Sequence, residues 1–181
     1  MKKLMLCLIG AMLFLPNSST AMKNQHSTDL TKKQVIIKTL QAREHFWNIM
    51  MGHNPKIKHS TCQTETVEYH HLPYMYMCSE FSTKEKMTQY LAPIFTKKAI
   101  KEGFEKYKIV SYKGKMIVPV GDGSNLLSWE NSSFKLISKK GNIRTYEFTV
   151  PSLDGTGSIK RKITFIKENH KWKMNQLDAV M

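Results

Sequence analysis

The sequence predicts an α+β protein, an N-terminal helical lobe of about three helices followed by an antiparallel β lobe. Three observations carry that reading. Apolar residues recur at intervals of three or four as far as Tyr107 and at every second position beyond it. Cap-forming side chains (Asp29, Ser82, Thr96) precede the periodic stretches of the first half. Turn sequences punctuate the second half at hairpin spacing: Lys113-Gly114, Lys139-Lys140-Gly141-Asn142 and Glu168-Asn169-His170. At 181 residues, 41% hydrophobic and 10% aromatic, the chain has enough apolar material for a core, which excludes the disordered class.

The first 21 residues are set apart. A basic start (Lys2, Lys3), an apolar run from Leu4 to Leu15 and small residues ending at Ala21 form the three-part layout of a secretory signal. The run is shorter than the ~20 residues a spanning helix needs, and Pro16 breaks it. Residues 1–21 are therefore expected to be removed near Ala21, leaving a secreted chain of 160 residues with no transmembrane segment and a charge of +12.

The first helix is expected over 30–51, with Leu30, Ile36, Ile37, Leu40, Trp47, Met50 and Met51 on its apolar side, Asp29 as cap and Gly52 as stop. Residues 61–69 read as a short strand or extended arm, and Tyr74–Met77 fits either state. Ser82-Thr83-Lys84-Glu85 matches a capping box, and Pro93 ends the helix it opens. Thr96 caps a third helix over 97–107. Strands are then expected at 108–112, 115–120, 134–138, 143–150, 158–167 and 171–177. The organisation is a leader (1–21), a helical lobe (22–107) and a β lobe (108–181).

The net charge of +14 first suggests nucleic acid, but only Arg43, Arg144 and Arg161 are arginines among 28 basic residues. Lysine lacks the planar fork that reads bases and phosphates bidentately, and an exported protein does not meet chromosomal DNA; no nucleic acid partner is expected. Residues 91–181 hold +9 of the charge, much of it at alternate strand positions where a solvated face belongs. Lys160-Arg161-Lys162 reads as an exposed strand edge with Arg161 opposite the two lysines.

Cys62 and Cys78 remain once Cys7 leaves with the leader. A bridge would close a 17-residue loop, worth about 3 kcal/mol; two buried thiols are the alternative. Neither cysteine has a setting that would activate it as a nucleophile. His53, His59, His70 and His71 match no zinc spacing, and His70 and His71 point to opposite faces if extended. No paired catalytic carboxylates and no glycine-rich phosphate loop are present, so the residues support no enzyme, no metal and no cofactor.

One segment stands out: Gly121-Asp122-Gly123-Ser124-Asn125-Leu126-Leu127-Ser128-Trp129. It couples a flexible acidic tip to three large apolar residues, and Asp122 is the only acid between Glu105 and Glu130. The apolar residues can equally pack beneath the sheet, the glycines serving a tight turn. Loops on rigid scaffolds are where binding function concentrates.

His45-Phe46-Trp47, Thr83-Lys84-Glu85-Lys86-Met87 leading to Tyr90-Leu91, the Gly121-Asp122-Gly123 turn with Leu126, Leu127 and Trp129, and Thr145-Tyr146-Glu147-Phe148-Thr149-Val150-Pro151 together resemble the IseA family. Its members are secreted bacterial inhibitors of peptidoglycan DL-endopeptidases, cysteine hydrolases of the NlpC type. The resemblance covers about Ala42 to Leu177. It implies a bilobed molecule whose second lobe is cystatin-like, and a β-lobe loop that plugs the hydrolase cleft. The matching residues here are Gly121, Asp122, Gly123, Ser124, Asn125, Leu126, Leu127 and Trp129, with Asp122 the expected key residue and a monomer the expected state. Two other readings remain open: retention by charge on an anionic cell-wall polymer or lipid, and a ligand pocket between helix and sheet.

Overall fold

The computed structural model describes residues 29–121 and 126–181. The expected leader, 1–21, lies outside them. Three helices and two four-stranded antiparallel sheets make an α+β architecture. No helix among the described residues is long and apolar enough to cross a membrane.

Helix α1 (Lys32–Met50) buries Val35, Ala42, Phe46 and Ile49. Thr31, not Asp29, caps it: the Thr31 hydroxyl accepts from Gln34 N, and the Gln34 side chain accepts from Thr31 N. Asp29 is thereby free for a distant partner, described below. Gly52, in the left-handed region at φ 72°, ends the helix as expected.

Between α1 and α2 the chain inserts a hairpin, β1 (Thr66–Tyr69) and β2 (Leu72–Tyr76), so of the undecided 74–77 segment Tyr74–Tyr76 is strand and Met77 lies just past its end. His70 and His71 are its turn, both at positive φ, so they do not alternate across a strand as an extended pair would. Helix α2 (Lys84–Leu91) starts from Thr83, whose hydroxyl accepts from Lys86 N. The expected cap, Ser82, instead donates to the Ser79 carbonyl. Helix α3 (Lys97–Lys106) is capped by Thr96 as expected.

Strands β3 (Val110–Tyr112) and β4 (Lys115–Pro119) turn at Lys113-Gly114. They join β1 and β2 in one sheet of order β1-β2-β4-β3, so the β2–β4 pairing crosses the 107/108 position at which the hydrophobic period changes. The second sheet is a meander: β5 (Ser133–Lys140), β6 (Ile143–Pro151), β7 (Ser158–Glu168) and β8 (Lys171–Met174). Along β6 burial alternates strictly, with Tyr146, Phe148 and Val150 inward. Phe134 and Tyr146, and Phe134 and Phe148, stand 5.7 and 5.0 Å apart between ring centres, and these pairs add to what burial alone supplies. The opposite face is basic: Glu147 sits among Lys135 (3.1 Å) and Lys160 (3.9 Å).

One apolar core runs through both sheets and all three helices. The connection is also made by hydrogen bonds: Thr96 N donates to Met174 O, and Met174 N to Ile94 O, at 3.0 and 2.8 Å. At Gly103 on α3 a Cβ would come within 2.8 Å of the Leu177 Cβ, so only glycine admits the C-terminal segment there. Asp29 closes the circuit. Its carboxylate accepts from Arg144 Nε (2.8 Å) and Nη2 (3.1 Å) and pairs with Lys139 at 2.7 Å, tying the start of α1 to the β5–β6 hairpin. The Arg144 and then the Lys139 bonds hold that carboxyl well below the usual range.

Candidate functional site

The loop after β4 enters through a fixed point, Val120 N donating to Pro73 O at 2.9 Å. Gly121 is exposed, with no atom near the place a Cβ would occupy. Asp122, Gly123, Ser124 and Asn125 lie outside the described residues. The exit is built residue by residue. Leu126 O accepts from Leu153 N at 2.7 Å, Leu127 bridges to Ser152, and Ser128 N donates to Pro151 O at 2.8 Å. Trp129 is fully buried, 5.8 Å from the Phe148 ring. Ser132 Oγ donates to its carbonyl.

The three apolar residues that sequence treats alike therefore divide. Trp129 is the footing of the loop, Leu127 is half-buried at its edge, and Leu126 is 58% exposed where the chain leaves the tip. The Trp129 indole Nε1 has no hydrogen-bond partner among the described residues. A buried donor left unpaired costs about 1–3 kcal/mol, so Trp129 is held by its packing.

The residue that sequence reasoning missed is Leu153. It is 62% exposed, and with Leu126 it forms the most exposed pair of large hydrophobics among the described residues. The turn carrying it is braced by Asp154, which accepts from Ser152 Oγ, from Thr156 N at 3.0 Å and from Thr156 Oγ at 2.8 Å. Those bonds, the Ser152 one first, lower the Asp154 carboxyl to about 2. The signal was available: Asp154-Gly155 between two alternating runs marks a turn. Its proximity to Leu126 is a tertiary fact that no local pattern encodes.

Away from this edge, a disulfide joins Cys62 and Cys78, with Cα atoms 4.2 Å apart. Glu80 secures the neighbouring segment by accepting from Asn54 N (2.8 Å) and Ser60 Oγ. His45 stacks on Tyr90 at 4.1 Å, and Asn48 Nδ2 donates to Tyr90 Oη at 2.7 Å. Burial pushes the His45 imidazole down, so it is neutral at pH 7. Among the described residues no three His, Cys, Asp or Glu side chains gather into a metal site.

The four motifs now pair off in space. His45 of the first meets Tyr90 of the second, and Trp129 of the third stands on Phe148 of the fourth, whose Pro151 also holds the loop exit. Scattered sequence signals thus specify two local assemblies, one at the α1–α2 contact and one beneath the 121–129 loop. Fold and site together present an aromatic-backed sheet that holds two adjoining loops at one edge.

The chain belongs to the IseA DL-endopeptidase inhibitor family, whose family model matches residues 26–179. It is also 56% identical over 181 residues to a Bacillus subtilis (strain 168) protein described as "Uncharacterized protein YoeB", covering 100% of both chains.

Proposed function

We propose that the protein is a secreted, non-catalytic inhibitor of NlpC-type peptidoglycan DL-endopeptidases, which blocks their active-site cleft with the Gly121–Trp129 loop and so restrains autolysis in the cell wall. The observation that carries this reading is the exposed Leu126–Leu153 pair set beside that loop on a buried footing. Exposed apolar residues on a rigid base are the usual anchors of a protein–protein contact. Gly121 and Gly123 let the loop enter a narrow cleft, and Asp122 stands in for a substrate carboxylate in a cleft that acts beside an acidic stem-peptide residue. The basic face around Lys135, Lys160 and Lys162 assists retention on anionic wall polymer, a screened and sequence-blind attraction.

Inhibition of a purified DL-endopeptidase, followed as loss of cell-wall turbidity, tests the reading. Asp122→Ala is expected to weaken inhibition at least tenfold with an unchanged melting temperature. Undiminished inhibition by that variant would overturn the assignment of Asp122.

A further inference from the structure

A groove of about 910 Å³ opens between the first sheet and helices α2 and α3. Its size is in the range of small-molecule sites, a few hundred to about 1,000 Å³. The floor is apolar: Ile100 and Phe104 from α3 and Met116 from β4, all buried, meet Leu72, which is 42% exposed. Tyr69 and Tyr74, with ring centres 5.3 Å apart, form one wall.

The rim carries the charge. Lys84, Lys97, Lys101 and Lys108 line it against a single acid, Glu105. Lys101 stands 3.9 Å from Glu105, while Lys84, Lys97 and Lys108 have no ion pair among the described residues. Lys97 and Lys101, four residues apart on α3, project along one side of the helix. Lys108 is held in the left-handed region at φ 51°, directly after the Tyr107 cap, where a helix end ordinarily places glycine. His70, also on the rim, is at φ 50°.

We propose that this groove binds a single-chain anionic amphiphile, its alkyl chain lying on Leu72, Ile100 and Phe104 and its carboxylate or phosphate head meeting Lys97, Lys101 and Lys108. An amphiphile fits better than an acidic peptide. The lining is mostly apolar, with Thr88 and Ser111 its only hydroxyls besides the tyrosines among the described residues, whereas a peptide needs hydrogen-bonding partners along its length. The excess of lysine over acid at the rim sets the sign of the head.

Titration calorimetry with dodecanoate and with dodecyl phosphate, each below its micelle concentration, tests this. One-to-one binding of either supports the proposal, and which binds more tightly distinguishes a fatty-acid from a phosphate-headed source. Lys97→Glu/Lys101→Glu and, separately, Leu72→Asp are expected to weaken binding at least tenfold. All three changes are on the surface, and melting curves verify folding. Lys108→Gly gives a second readout: affinity falls while the melting temperature holds or rises. Equal affinity for dodecyl maltoside, binding of hexaglutamate with no need for an alkyl chain, failure of both anionic probes to bind, or indifference to the lysine changes would each overturn it. Inhibition of a DL-endopeptidase is read in a separate assay, so failure of these probes to bind leaves the proposed function standing.

Discussion

The two sheets differ in what each does with its apolar face. The second, β5–β8, closes the inner face of β6 and β7 with long alternating strands and an aromatic ladder, and exposes Leu136 and Ile137 on edge strand β5, Ile143 at the start of β6, and Leu126 and Leu153 outside the strands. The first, of three- to five-residue strands joined by left-handed turns at His70-His71 and Lys113-Gly114, leaves an open groove toward α2 and α3. A closed face makes a rigid platform and moves recognition to its rim. An open face keeps recognition on the sheet itself. One molecule thus offers two kinds of surface, a projecting edge suited to entering a cleft and a recess suited to receiving a ligand.

The comparison can be broken most forcefully at its footing. Trp129→Ala removes a fully buried indole beneath the loop and is expected to cost about 3–5 kcal/mol, read by denaturant unfolding, with inhibition lost alongside. Next comes the first sheet's own staple. Replacing Cys62 and Cys78 by serine opens a 17-residue loop and is expected to cost about 3 kcal/mol, read as a lower melting temperature. Because the bridge lies apart from the Leu126–Leu153 edge, inhibition below the new melting temperature is expected to be retained.

A smaller effect tests how the second sheet is tied to α1. The Asp29 carboxyl is depressed by Arg144 and Lys139, so its contribution is complete above the ordinary carboxyl value, about 3.9, and is lost as pH falls below it. Asp29→Asn should therefore lower the melting temperature at pH 7, and the difference from the parent should shrink on acidification below about pH 4. His45 supplies the smallest effect. Its folded value is lowered by burial, so stability should decline as pH drops through about 6.5, where the unfolded imidazole takes a proton. Replacing His45 by glutamine should flatten that slope.

Much of the fold was legible because local physics dictated it. The Thr96 cap, the Gly52 stop, the period change after Tyr107 and the three later hairpins are all settled by neighbours a few residues away. The misplacements share a cause. Asp29 and Ser82 are both good cap residues, yet each is one to two positions short of the true cap and is engaged elsewhere, Asp29 by Arg144, 115 residues distant. The β1–β2 hairpin was obscured because a His-His turn lacks the usual Asn-Gly signature. At the candidate site, the 121–129 segment announced itself through its lone acid, while Leu153 did not, since an exposed leucine in a turn carries no periodic signal.

On the proposed function, the edge of the second sheet, and not the recess of the first, engages the hydrolase. The most direct measurement is the inhibition constant against a purified DL-endopeptidase for two surface variants compared with the parent: Leu126→Ser/Leu153→Ser at the edge and Lys97→Glu/Lys101→Glu at the groove. A constant at least tenfold weaker is expected for the edge variant and an unchanged one for the groove variant. The reverse pattern, or an edge variant as potent as the parent, would contradict it.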